Sequence, residues 1–131
     1  MTTLTFAKSR YIGDMLDGTK TTTIRANWER WVKECEAQHD LHVFYGSRFS
    51  PNRQYVGKCK LVSVKILRGS QFKVEDARKD GFETLDELVD ALIGLNGMSR
   101  AMVLKSKWAV LEMGEWLDGP YWPGKNGTAE T

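Results

Sequence analysis

Apolar and polar positions along the chain switch between a period of two and a period near 3.6, and the switches mark its elements. Leu4 and Phe6 alternate with threonines, as a short strand over residues 3–6 would. From Ala7 to Asp17 the spacing lengthens, with Tyr11, Ile12, Met15 and Leu16 on one helical face and Gly18 as the stop. The threonine-rich run from Thr21 to Arg25 suits extended backbone, because two heavy substituents on Cβ pack well on a pleated surface. Asn27 is placed to cap a second helix, in which Trp28, Trp31, Val32 and Cys35 recur at i, i+3, i+4 and i+7 until about Gln38. Leu41 to Gly46 reads as a strand and Gly46 to Asn52 as a basic, polar loop. Tyr55 to Leu67 reads as a longer strand whose apolar residues do not keep one parity, which calls for a bulge. A short helix over Phe72 to Lys79 stops before Gly81. Thr84 and Glu87 then form a capping box for a helix that turns Leu85, Leu88, Leu92 and Leu95 inward and dissolves at Gly94, Asn96 and Gly97. Lys107 to Met113 reads as the last strand; Gly114 to Thr131 has no period, and its end beyond Gly124 is expected to fray. Separate strands interleaved with helices predict an α+β chain, its sheet curved, mixed or mainly antiparallel, or a small barrel flanked by helices.

A length of 131 residues matches one compact domain with a real core. Nineteen Lys and Arg residues against 17 Asp and Glu leave a charge of only +2, which argues against a dedicated duplex-DNA binder. Cys35 and Cys59 are too few for a disulfide framework and lack zinc-finger spacing, so both are expected reduced. The N-terminus lacks a basic and apolar leader and no apolar run is long enough to span a bilayer, so the expectation is a cytoplasmic protein without a membrane partner.

Gly18-Thr19-Lys20-Thr21-Thr22-Thr23-Ile24-Arg25 concentrates more chemistry than any other stretch. In a regular strand from Thr21, Thr23 and Arg25 share one face, while Thr22 and Ile24 share the other. Lys20 has the wrong parity to join Thr23. The two converge only if the backbone is still turning between Gly18 and Lys20, as a glycine permits.

Three blocks in order resemble an ASCH domain of the PUA-like superfamily. The first is Gly18 to Arg25, similar to the family's G-x-K-x-x-x-x-R signature. The second is Val43 to Arg48 with Val56-Gly57-Lys58, and the third is Asp80-Gly81-Phe82 with the capped helix behind it, closed by the strand through Trp108. The resemblance implies a small PUA-like β-barrel with helices around a cleft, a domain over residues 1–113 and an extension over 114–131. Its first block is most similar to bacterial N4-acetylcytidine amidohydrolases. Carried over by position, this implies a catalytic set of Lys20, Thr23 and Asp80, Asp80 standing where those enzymes have a glutamate one methylene longer. It implies no cofactor and an RNA or nucleoside partner. The stretch from Trp28 to Gln38 is longer than its counterpart there, which implies a different substrate. Other relatives bind RNA, and some cut it.

Amide hydrolysis needs a nucleophile, a group to take its proton and a proton source for the leaving amine, roles open to Thr23, Lys20 and Asp80 in turn. Lysine serves as a base only when burial or a neighbouring cation such as Arg25 lowers its pKa from about 10.4. The alternative is a non-catalytic RNA-binding module or a metal-independent ribonuclease, in which Lys20 stays charged and grips a phosphate. Arg25, Arg48, Lys8 and Arg10 could line such a cleft, with Tyr45 or Trp28 as a surface for an unstacked base. Trp31 and Trp108 read as core. Cys35, His39 and His42 lack a fourth ligand and are not assigned a metal.

Overall fold

Alternation of side chains in the strands builds the sheet on which everything else is hung. The computed structural model describes residues 2–47 and 50–122. Among them the order is β1 (Thr2–Phe6), α1 (Ser9–Leu16), β2 (Thr22–Arg25), α2 (Trp28–Glu36), β3 (Leu41–Tyr45) and β4 (Gln54–Arg68). A 3-10 turn at Gly69–Gln71, α3 (Val74–Lys79), α4 (Leu85–Asn96), α5 (Arg100–Lys105) and β5 (Lys107–Asp118) follow. The five strands run in the order β1-β3-β4-β5-β2, with β1 parallel to β3 and the other pairs antiparallel. The sheet curls into a half-barrel, giving the α+β class that the interleaved periods predict. Its two edges, β1 and β2, are joined by a side chain: Arg25 Nη2 donates to the Thr5 carbonyl at 3.2 Å.

Register divides the residues of β2 between two environments. Thr23 lies opposite Leu111 and Arg25 opposite Ala109, while Thr22 and Ile24 face the same way as Glu112 and Val110. The face bearing Trp108 is covered by α5, whose Val103 carbonyl accepts the buried indole N–H at 2.9 Å and so satisfies it. Leu4, Ile12, Leu41, Val43, Leu88, Val103 and Leu111 complete the buried core. No helix among the described residues is long and apolar enough to cross a membrane.

Four local expectations are corrected. Leu95 does not point inward; it is 54% exposed, and Val89 joins Leu88 and Leu92 in the buried stripe of α4. The helix α5 was not expected, being six residues between a glycine and a tryptophan; its signal is Ser99, whose hydroxyl accepts the Met102 N–H. The last strand does not end at Met113 but continues to Asp118. Gly114 looks like a breaker, yet it is there because β4 presses close: a Cβ at this position would meet Val62 Cγ2 at 2.6 Å. Asn27 holds the N-cap position of α2 in a left-handed conformation without capping it through its side chain. The bulge expected in β4 is present, as register shifts against β5 between Lys58 and Ser63. The tail beyond Gly124 lies outside the described residues.

Candidate functional site

The turn at Gly18 decides where Lys20 goes. Gly18 has a φ of +84°, and Asp17 Oδ1 accepts the Thr19 N–H at 2.9 Å, holding the chain in a tight reversal after α1. Lys20 donates its N–H to the Asp14 carbonyl at 2.9 Å and pairs with Asp80 as an isolated antiparallel bridge; next to it Thr21 N–H reaches the Lys79 carbonyl at 2.8 Å. Lys20 is therefore outside β2, which begins at Thr22, and the parity of the strand does not bind it.

This bridge buries a lysine against an aspartate. Asp80 ends α3 as its C-cap, and its carboxylate Oδ1 accepts a hydrogen bond from Lys20 Nζ, which also donates to the Asp80 carbonyl at 3.2 Å. Each residue is only 5% exposed. Phe6 and Tyr11 flank the ammonium, both ring centroids 5.6 Å from Nζ, and Tyr11 meets Phe82 edge to face at 6.1 Å. Burial acts on the pair in opposite senses: it lowers the lysine pKa and raises that of the aspartate, because each loses the water that favours its charged form. Their mutual attraction opposes both shifts, and the positive charge of Arg25 lowers Lys20 further. Burial also raises the Tyr11 hydroxyl.

Thr23 is 3% exposed and its Oγ1 accepts from Arg25 Nε at 3.3 Å. The Arg25 guanidinium also lies 4.9 Å from the centroid of Phe6, the ring that Lys20 approaches. Thr23, Arg25, Phe6, Lys20 and Asp80 therefore form one chain of contacts. Among the described residues no hydrogen bond joins Lys20 Nζ directly to Thr23 Oγ1. Arg10 lies on the outer side of the group, donating to the Gly81 carbonyl at 3.3 Å, pairing with Asp14 at 3.6 Å and standing 5.5 Å over Phe82.

A cavity of about 260 Å³ opens beside Lys20. Met15, Leu16, Cys59, Met113 and Trp116 give it an apolar wall in which Lys20 is the charged group. Burial pushes the Cys59 thiol up to about 12, which removes it as a nucleophile near neutral pH. The apolar wall of the cavity suits an uncharged group.

The remaining expected site residues lie apart from this pair or outside it. Tyr45 is half-buried, its ring packed against Trp122 at 5.2 Å and 86°. Trp28 is half-buried under the Lys107 ammonium at 5.3 Å, and Lys8 is exposed at the N-cap of α1. Arg48 lies outside the described residues. Phe6, Tyr11, Met113 and Trp116 are not singled out as site residues from sequence: the first three read there as ordinary positions of a strand or helix, and Trp116 falls in the stretch without period. His39 is taken by Glu34, 2.6 Å from its Nδ1.

No family model matches the chain, and no curated protein matches it. Among solved structures it is similar to the crystal structure of protein EF3133 from Enterococcus faecalis V583, of the family described as DUF984. The TM-score is 0.61 at 14% identity over 98% of this chain and 83% of that one. That likeness shows the fold.

Proposed function

We propose that the chain hydrolyses an amide on a modified nucleobase, N4-acetylcytidine being the type substrate, with Thr23 as nucleophile and the Lys20–Asp80 pair handling protons. The observation that carries this reading is the buried pair itself, both members pushed toward their neutral forms, with Lys20 lining a largely apolar cavity. Burial lowers the Lys20 pKa and raises that of Asp80, so passing the lysine proton to Asp80 during turnover leaves a free amine that can act as base. It takes the Thr23 proton, through a bridging water or the substrate's own polar group, as Oγ1 attacks the acyl carbon. The Arg25 Nε–H at Thr23 Oγ1 stabilises the developing alkoxide. Asp80 returns its proton to the leaving amine as the C–N bond breaks, leaving an acyl-threonine ester. Water then cleaves that ester, restoring the hydroxyl and releasing the carboxylic acid, so amide plus water gives amine plus acid.

Three groups that an RNA-binding module would use are already engaged. Lys20 is held by Asp80, Arg25 by Thr5 and Thr23, and the ring of Tyr45 by Trp122. Incubation with N4-acetylcytidine should release cytidine and acetate, and Lys20→Met should stop the release. Absence of cytidine would overturn this substrate, and turnover surviving in Lys20→Met would overturn the mechanism.

A further inference from the structure

Tyr11 has a ring that the fold uses and a hydroxyl that it does not. The ring meets Phe6 and Phe82 edge to face at 6.4 Å and 6.1 Å, and its centroid lies 5.6 Å from Lys20 Nζ. Phenylalanine would make the same ring contacts. The hydroxyl makes no hydrogen bond among the described residues. It is not sealed in either, since Thr22 Oγ1 is the side-chain polar atom among those residues that is both shut off from solvent and without a partner. Tyr11 is 8% exposed, and some of that exposure therefore lies at its oxygen. A tyrosine whose ring is fixed by two others, and whose oxygen faces outward beside a buried ion pair, is set to meet a ligand there.

The neighbouring charges say what the hydroxyl can do. Burial raises its pKa above the ordinary 10.0, Arg10 and Arg25 opposing the rise and Asp80 and Asp14 adding to it. It therefore keeps its proton and acts as a neutral donor. The other donors around the pair are engaged: Lys20 by Asp80, Arg25 by Thr23 and Thr5, and Arg10 by the Gly81 carbonyl and Asp14.

Attack of Thr23 on an amide drives an electron pair onto the acyl oxygen, and that charge needs a donor which neither the Lys20–Asp80 pair nor Arg25 supplies in the steps above. We infer that Tyr11 is a further catalytic residue, its hydroxyl donating a hydrogen bond to the acyl oxygen of the substrate. This inference rests on the amide-hydrolysis reading. Tyr11 gives up no proton: the C=O pair moves onto oxygen as the bond to Thr23 Oγ1 forms and returns as the C–N bond breaks.

N4-acetylcytidine and its thioacetyl counterpart, in which sulfur replaces the acyl oxygen, test the assignment in the wild-type chain and in Tyr11→Phe. The variant should melt with the wild type and turn over the acetyl substrate about 10²–10³-fold more slowly in kcat, with KM little changed. Sulfur is a weak hydrogen-bond acceptor, so the wild type should favour the acetyl substrate and Tyr11→Phe should lose most of that preference. A variant as fast as the wild type, or a slow one that keeps the full preference for oxygen over sulfur, would overturn the role of Tyr11 and leave amide hydrolysis standing. A wild-type chain that turns over neither substrate would overturn both.

Discussion

Two Lys–Asp pairs use aspartates one helical turn apart on the same segment, and they differ in almost everything that matters. Asp76 pairs with Lys65 at 3.2 Å, but that lysine side chain is more than half exposed and water screens the interaction. Asp80 pairs with Lys20 where both side chains are almost wholly buried. Removing two charges from water costs more than their attraction reliably returns, so a pair of the second kind is a poor device for stability alone. The contrast fits the outer pair for fastening α3 onto β4 and leaves the inner one for the proton handling proposed above.

The largest effect that would break this contrast is on turnover. Lys20→Met should lower kcat/KM for N4-acetylcytidine by about 10²–10⁴-fold, the ordinary worth of a general base, whereas Lys65→Met should leave it unchanged. Equal losses in the two variants would erase the distinction. Next comes stability measured by urea denaturation. Lys20→Ala leaves Asp80 buried without its partner and should cost about 3–5 kcal/mol, while Lys20→Met combined with Asp80→Leu should recover most of that loss or exceed the starting stability. The double variant should be folded and inactive, which separates fold from function. If it were no more stable than the single one, the pair would be structural. Smaller still, Asp76→Ala should cost about 1 kcal/mol, because it removes the acceptor of the Lys73 N–H as well as the Lys65 bridge. Lys65→Met should cost at most about 1 kcal/mol, within the range of exposed ion pairs.

The pH dependence sharpens the comparison further. The active form carries one proton on the pair, Lys20 neutral and Asp80 protonated, so kcat/KM should trace a bell: it rises with pH as the doubly protonated pair loses its first proton and falls as the pair loses its second, below the ordinary lysine value of 10.5. Lys65→Met should leave both limbs in place.

Much of the fold was legible in the sequence because hydrophobic period reports local geometry directly. Half of the capping box at Thr84 and Glu87 forms: Thr84 Oγ1 accepts the Glu87 N–H at 3.1 Å, while the Glu87 carboxylate accepts from the Thr84 hydroxyl at 3.2 Å in place of its N–H. Local pattern failed where a distant strand decides: Gly114 reads as a strand end, and only the approach of Val62 explains its place within β5. The same holds at the site. Lys20, Thr23 and Asp80 were named from motifs, and the need for a turn at Gly18 followed from parity. What spacing along the chain could not give is that Asp80, sixty positions on, meets Lys20, or that Arg25 rather than Lys20 holds the Thr23 hydroxyl. The aromatic neighbours Phe6 and Tyr11 were hidden for another reason, since a ring beside an ammonium has the same sequence signature as a ring in the core.

The protonation of Lys20 is the point on which the account turns, and it can be observed without substrate. Following the Lys20 Cε and Asp80 Cγ resonances by NMR across pH, with Lys20→Met and Asp80→Asn to assign them, should place the lysine midpoint below 10.5 and the aspartate midpoint above 3.8. A lysine titrating at or above 10.5 together with an aspartate at or below 3.8 would mark an ordinary stabilising ion pair and contradict the account.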